Sequence, residues 1–228
     1  HPLIITDQGL VEHGVYQKLR DALPADMAVA VYDNIPENPT IAGIEQALDV
    51  YKANNCDGII GLGGGSVLDS GKALRVAATH NMSVIEILNN LGKITADVAP
   101  YITIPTTAGT GAEITFGGGI HPETNAPALT IRSIHVQPDL AICDPEFTMT
   151  LPPRLTAATG MDALTHCVEG FVSNMSNPPC EAIALDGTRR VVDFIERAVA
   201  DGSDREARAE MSMAALQGGM AIYMGLGP

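Results

Sequence analysis

Over the first third of the chain, short unbroken apolar runs alternate with longer segments in which apolar positions recur every three or four residues. Leu3-Ile4-Ile5-Thr6 predicts a strand ending at Asp7-Gln8-Gly9, and Leu10, Val11, Val15, Leu19 and Leu23 then mark one face of a helix. The pattern repeats with a strand over Met27 to Tyr32, closed by Asp33-Asn34-Ile35-Pro36, and a helix carrying Ile41, Ile44, Ala47, Leu48 and Tyr51. Gly58 to Leu62 is the third strand and Ser66 to Thr79 the third helix. Strands alternating with helices of about a dozen residues predict an α/β fold with a parallel sheet covered on both faces. Such sheets bind ligands beyond the carboxyl ends of their strands.

The pattern then changes. Tyr101-Ile102-Thr103-Ile104 reads as another strand, followed by the hydroxyl-rich stretch Pro105-Thr106-Thr107-Ala108-Gly109-Thr110-Gly111-Ala112-Glu113-Ile114-Thr115. Phe116 to Ile120 and Leu129 to Ile131 suit a hairpin, and Leu140-Ala141-Ile142-Cys143 ends the strand-rich part at Asp144-Pro145. From about Phe147 the chain reads as helical, with Thr150-Leu151-Pro152-Pro153 punctuating the change. The expected organisation is therefore an α/β domain over 1–147 and a helical domain over 148–228.

Three features gather at the carboxyl ends of the predicted strands: Asp7, Asn38-Pro39-Thr40, and the turn Gly61-Leu62-Gly63-Gly64-Gly65-Ser66. Glycines let the backbone approach a ligand closely. Ser66 is a suitable N-cap for a helix whose free N–H groups would face an anion. The turn satisfies neither standard phosphate fingerprint: Ser66 stands where a Rossmann motif has its third glycine, and Ala73 replaces the Ser/Thr of a P-loop. Asp7 reads either as a turn or cap residue or as an acceptor for a ribose hydroxyl that would repel a 2′-phosphate, selecting NAD over NADP. The threonine stretch offers hydroxyl donors beside accessible N–H groups, suited to a pyrophosphate or ribose, or else forms a hydroxyl-rich hairpin. Asp162 and His166, at i and i+4 on one predicted helix face, read alone first as a surface ion pair. They also make two ligands of an iron(II) or zinc site.

Composition narrows the classes. A chain of 228 residues with 46% hydrophobic and 18% charged residues can bury a sizeable core. A net charge of −14 argues against nucleic acid as a partner. No apolar run reaches the roughly 18 residues of a membrane span. Cys56, Cys143, Cys167 and Cys180 contain no C-x-x-C pair, so they read as buried free thiols of a soluble, cytoplasmic protein. A small molecule is the expected partner, and a start at His1 rather than Met suggests that the natural beginning is absent.

Three segments carry a resemblance. Gly63-Gly64-Gly65-Ser66-x-x-Asp69-x-x-Lys72, Ile104 to Glu113, and Thr159-Gly160-Met161-Asp162-Ala163-Leu164-Thr165-His166-x-x-Glu169 resemble, in order and spacing, the successive signatures of the iron-containing (group III) alcohol dehydrogenase family. The likeness extends to Asp139–Asp144 and Leu151-Pro152-Pro153, over essentially the whole chain. It implies a Rossmann-like parallel-sheet domain followed by an all-helical domain, the dehydroquinate synthase-like architecture, here truncated at both ends. The implied reaction moves a hydride between a nicotinamide cofactor and a small alcohol or aldehyde held on a divalent metal, in the cleft between the domains. Carried over by position, Asp7 is the adenosine-ribose contact, and Asn38, Gly64, Gly65, Ser66 and Asp69 wall the pyrophosphate and nicotinamide ribose. Thr106, Thr107, Thr110 and Thr115 line the same groove, Leu151 and Leu155 pack near the nicotinamide, and Asp162 and His166 act in catalysis as metal ligands, Fe2+ or Zn2+. Two further histidine ligands are implied after a Gly-Leu-Gly, which this chain reaches only at Gly225-Leu226-Gly227. A homodimer is implied as well. The same fold also serves glycerol dehydrogenases, maleylacetate reductases and dehydroquinate synthase-like lyases, and a non-catalytic nucleotide-binding module is a further alternative.

Overall fold

A computed structural model describes residues 1–226. The chain forms two compact units, the first of His1–Ile104 with Phe116–Ala141 and the second of Pro105–Thr115 with the residues from Ile142 onward. In chain order the elements are β1 (Pro2–Ile5), α1 (Gln8–Glu12), α2 (Val15–Ala22), β2 (Ala30–Tyr32), α3 (Ile41–Ala53), β3 (Gly58–Gly63), α4 (Gly65–Ala77) and α5 (Val84–Asn89). There follow β4 (Tyr101–Pro105), β5 (Gly117–Ile120), β6 (Leu129–Arg132), β7 (Leu140–Ala141), α6 (Pro153–Val172), α7 (Pro178–Ala200) and α8 (Arg205–Leu226).

In the first unit, five strands lie in the order β2-β1-β3-β4-β7. β1 is an interior strand and pairs parallel with both neighbours, Leu3 facing Ala30 and Ile59, and Ile5 facing Tyr32 and Gly61. Leu3, Ile4 and Ile5 are completely buried, which is why β1 is an unbroken apolar run rather than an alternating one. β5 and β6 pair antiparallel as a separate ribbon, as the sequence pattern suggests.

Several boundaries differ from the sequence expectation. The single helix expected over Leu10 to Leu23 is two, because Gly14 takes a left-handed conformation (φ 76°) between α1 and α2. The second strand begins only at Ala30, and the last keeps only Leu140–Ala141. The helix expected to start at Ser66 starts at Gly65, and Gly64, not Ser66, is its N-cap.

Two glycines of the third strand and fourth helix serve packing. A β-carbon on Gly61 would lie 2.5 Å from Tyr101 Oη, and one on Gly71 would overlap the same ring. Tyr101 is wholly buried, donates its hydroxyl to Leu68 O at 2.9 Å, and thereby ties β4 to α4. Burial pushes its phenol well above the ordinary value. Arg75, also buried, donates to Ala99 O, to Gln137 O and to Asp139 Oδ2 (2.8 Å), fixing the approach to β7.

The second unit packs α6, α7 and α8 around Ala163, Val191, Ala198, Ala207, Met211 and Ala214. Its helix starts are well specified: Pro153 opens α6, and Asn177 accepts from Cys180 N (3.2 Å) ahead of Pro178. At α8, Asp204 accepts from Ala207 N at 3.0 Å. The division of units departs from the expected boundary after residue 147, because the threonine stretch 105–115 groups with the helices. Gly109 sits where a β-carbon would meet Thr159 at 2.8 Å, and Gly111 (φ 62°) sits against Gly219 at 2.6 Å. Close approach to α6 and α8 therefore requires these glycines, and the stretch is a loop rather than a hairpin.

Candidate functional site

In a doubly wound sheet of order 2-1-3-4, successive connections leave in opposite directions after β1 and β3, and ligands sit at that switch point. Asp7 follows β1 and the glycine turn follows β3, so the first unit brings these two sequence-predicted features to its switch point. Asp7 caps α1 through Oδ1, which accepts from Leu10 N at 2.9 Å. The cap reading of this residue therefore holds in the structure, and Oδ1 alone is used for it.

Gly64 caps α4 with backbone only, without a side-chain cap hydrogen bond among the described residues. An α-helix leaves its first N–H groups without intrahelical partners. Those of Gly65, Ser66 and Val67 are therefore directed outward at the helix's positive end. Ser66 donates its hydroxyl to Glu37 O, drawing the loop with the exposed Asn38 to the first turn of α4. Gly64, Gly65, Ser66 and Asn38 thus form one cluster.

Asp69, expected in the cofactor wall, uses both carboxylate oxygens in hydrogen bonds within the first unit. Its Oδ1 accepts from Lys72 Nζ at 3.0 Å and its Oδ2 from Gly119 N at 3.0 Å. Lys72, fully buried, also donates to Gly117 O at 2.6 Å. The pair bolts β5 onto α4, and Gly118 has no side chain because a β-carbon there would stand 2.6 Å from Asp69 Cγ. Lys72 lies in one of the sequence motifs, which by themselves give it no role. The signal available was the i,i+3 spacing of Asp69 and Lys72 in a mostly apolar helix.

The remaining residues lie on the second unit. Thr106 is buried, Thr107 and Thr115 are half-buried, and Thr110, exposed, accepts from Ala112 N at 3.2 Å through its hydroxyl. Leu151 leads into α6, with its carbonyl held by Arg208 at 3.0 Å, and Leu155, 49% exposed, presents an apolar side chain on the first turn. Arg208 is itself buried and also donates to Thr156 Oγ1 at 2.8 Å and to Gly202 O at 3.1 Å. No pattern in the sequence marked this arginine.

Asp162 and His166 occupy one face of α6, with Oδ1 and Nε2 3.8 Å apart. That exceeds hydrogen-bond length. Nδ1 of His166 is buried and has no hydrogen-bond partner among the described residues. A carboxylate and an imidazole one turn apart, neither consumed by a hydrogen bond among the described residues, fit two positions around a divalent transition metal. Among the described residues no group of three or more His, Cys, Asp or Glu completes a metal site. The two further histidine ligands that the resemblance implies are expected beyond Pro228, and Gly227 and Pro228 themselves lie outside the described residues. The neighbouring Cys167 is buried, and burial pushes its thiol up to about 11, in keeping with packing rather than chemistry.

A parallel sheet of order 2-1-3-4 with a glycine turn at its switch point defines a doubly wound α/β fold. Comparison with known proteins sharpens this. The model of the iron-containing alcohol dehydrogenases matches residues 1–145, and that of the Fe-containing alcohol dehydrogenase family C-terminal region matches 156–225. The chain belongs to the iron-containing alcohol dehydrogenase family. It is 44% identical over 229 aligned residues to a 4-hydroxybutyrate dehydrogenase of Cupriavidus necator, covering 99% of this chain and 59% of that protein. It is 40% identical to alcohol dehydrogenase 4 of Schizosaccharomyces pombe, covering 96% of this chain and 52% of that protein. Among solved structures, sulfoacetaldehyde reductase from Bifidobacterium kashiwanohense in complex with NAD+ superposes with a TM-score of 0.92 at 31% identity, over 98% of this chain and 59% of that one. The chain thus spans little more than half the length of these relatives.

Proposed function

We propose that this chain supplies the dinucleotide-binding and part of the metal-binding machinery of an NAD-dependent alcohol dehydrogenase or aldehyde reductase. The observation that carries the reading is the Asp162–His166 pair, poised on one face of α6 with neither group spent on a hydrogen bond among the described residues. The names of the relatives, a hydroxy-acid dehydrogenase, an alcohol dehydrogenase and an aldehyde reductase, share one chemistry, the interconversion of an alcohol and a carbonyl. When bound, a divalent ion supplies Lewis acidity toward the substrate oxygen and the nicotinamide supplies the hydride acceptor or donor.

The chain's own residues perform the binding. The bare start of α4 receives the pyrophosphate on the N–H groups of its first turn. Asp7 accepts from an adenosine-ribose hydroxyl through the oxygen that the cap leaves over, and its charge disfavours a 2′-phosphate. Asn38 and Ser66 bound the same seat, whereas Asp69 acts one step back, holding β5 in place. The hydroxyls of Thr106, Thr107, Thr110 and Thr115 offer further donors to the cofactor, and Leu151 and Leu155 offer apolar surface that excludes water from the nicotinamide. Asp162 and His166 hold the metal, iron(II) or zinc. The reading includes a homodimer, which light scattering of the full-length protein checks. Among the described residues, no helix is long and apolar enough to cross a membrane.

The test is turnover by the full-length protein, loaded anaerobically with iron(II) or with zinc, against short primary alcohols, ω-hydroxy acids and their aldehydes, with NADH and NADPH in parallel. Activity that prefers NADH and disappears in Asp162→Ala supports the reading. Dinucleotide binding without metal binding or turnover would instead identify a non-catalytic nucleotide-binding module.

A further inference from the structure

Among the buried polar atoms of the helical unit that lack a hydrogen-bond partner among the described residues are His166 Nδ1 on α6 and Gln217 Oε1 on α8, whose residues both border the packing around Cys167. Two glycines let the helices close there. A β-carbon on Gly218 would lie 3.1 Å from His166 Cβ and 3.5 Å from Cys167 Sγ. One on Gly187, in α7, would lie 2.6 Å from Cys167 Sγ and 3.5 Å from Gln217 Oε1.

The orientation of the Gln217 amide is not free. Its Nε2 donates to Asp186 Oδ2 at 2.8 Å, and that carboxylate also accepts from Arg190 Nε at 3.0 Å, while Arg190 pairs with Glu210. An amide whose nitrogen is committed to a carboxylate presents its oxygen as an acceptor. A neutral histidine that ligates a metal through Nε2 carries its proton on Nδ1, and a buried N–H without an acceptor is destabilising. The junction therefore holds one donor that needs an acceptor and one acceptor that needs a donor.

We infer that Gln217 is the positioning residue of His166: its Oε1 accepts a hydrogen bond from His166 Nδ1–H, after a side-chain rotation or through one bridging water, and so leaves the Nε2 lone pair beside Asp162. The chain Glu210–Arg190–Asp186–Gln217–His166 then runs across all three helices of the unit and sets ring orientation and tautomer. Outer partners of this kind tune affinity without touching the metal. The inference rests on the reading of Asp162 and His166 as metal ligands.

Two measurements on the full-length protein test it. Long-range nitrogen–proton NMR of the metal-free wild type should show His166 as the Nδ1–H tautomer, a result that depends on no variant folding. Zinc titrated against a chromophoric chelator should bind Gln217→Met about tenfold more weakly than wild type, with an unchanged thermal melt. A His166 protonated on Nε2, or a folded Gln217→Met with wild-type zinc affinity, overturns the inference. If wild type binds no zinc or iron(II) while the NMR shows Nδ1–H, the metal reading falls and the hydrogen bond alone survives.

Discussion

Asp7 does two things with one carboxylate, and the two can be separated. Oδ1 caps α1, and the negative charge is the proposed discriminator against NADP. Asparagine caps a helix about as well as aspartate but carries no charge. Asp7→Asn should therefore leave urea stability within about 0.5 kcal/mol of wild type. It should also raise the NADP-to-NAD ratio of kcat/KM roughly tenfold, as expected from removing one nearby like charge. At this scale the sequence was legible where chemistry is local. Asp7, Gly64 and the Asp162/His166 spacing could each be picked out from neighbouring residues. It was illegible where a residue's partner is remote. Gly61 and Gly71 look like ligand glycines in the sequence, yet the ring they make room for belongs to Tyr101, thirty or more positions away. Gln217 carries no local mark at all.

Among the elements, α4 has two unlike ends of interest. Its start is open, and its interior is bolted to the β5–β6 ribbon by the buried Lys72 and by Asp69. Breaking a buried pair by deleting one partner leaves the other uncompensated. Asp69 keeps some contact with water, 20% of its side chain being exposed, so the penalty falls at the lower end. Lys72→Met should cost about 3 kcal/mol in urea denaturation, and dinucleotide affinity should fall with it. The strand-helix alternation was readable because β1 and β3 are unbroken apolar runs and α3 has a clear 3.6-residue stripe. What the pattern concealed was fine structure. Gly14 divides a continuous apolar stripe by taking positive φ, and α5, six residues long, announces itself only through the capping box of Ser83 and Glu86. Ser66 was a reasonable cap by residue type, but its hydroxyl is drawn to Glu37 O instead.

The molecule as a whole carries a net charge of −14, and its helical unit contains a thiol whose titration is displaced. Burial, and secondarily the charge of Glu113, pushes Cys143 from the ordinary 9.0 up to about 12. The folded protein thus holds this proton more tightly than the unfolded chain does. The resulting stability is fully present below pH 9 and is lost as pH rises toward 12. The urea midpoint should decline over that interval in wild type, and less steeply in Cys143→Ala. Modification of Cys143 by iodoacetamide at pH 8 should be slow in the native protein, as mass spectrometry of the labelled peptide would report. Domain-level organisation was only partly readable in the sequence. The change from strands to helices near Phe147 is visible in the pattern, but the attachment of 105–115 to the helices depends on contacts of Gly109 and Gly111 with residues far downstream.

The bare Gly64 cap has a thermodynamic consequence for the folded state as a whole. A serine or asparagine at that position would stabilise the helix by a few tenths of a kcal/mol at all times; a phosphate does so only when present. Under the proposed function, part of the first unit's stability would be a function of solution composition, growing by about 2.7 kcal/mol when the dinucleotide reaches a hundred times its Kd. The melting temperature should rise with the logarithm of NAD concentration, and a Gly64→Asn protein should begin from a higher baseline and climb less. If the dinucleotide binds there, the protein would be most readily unfolded and degraded when the nucleotide is scarce, and its abundance would follow the nucleotide pool.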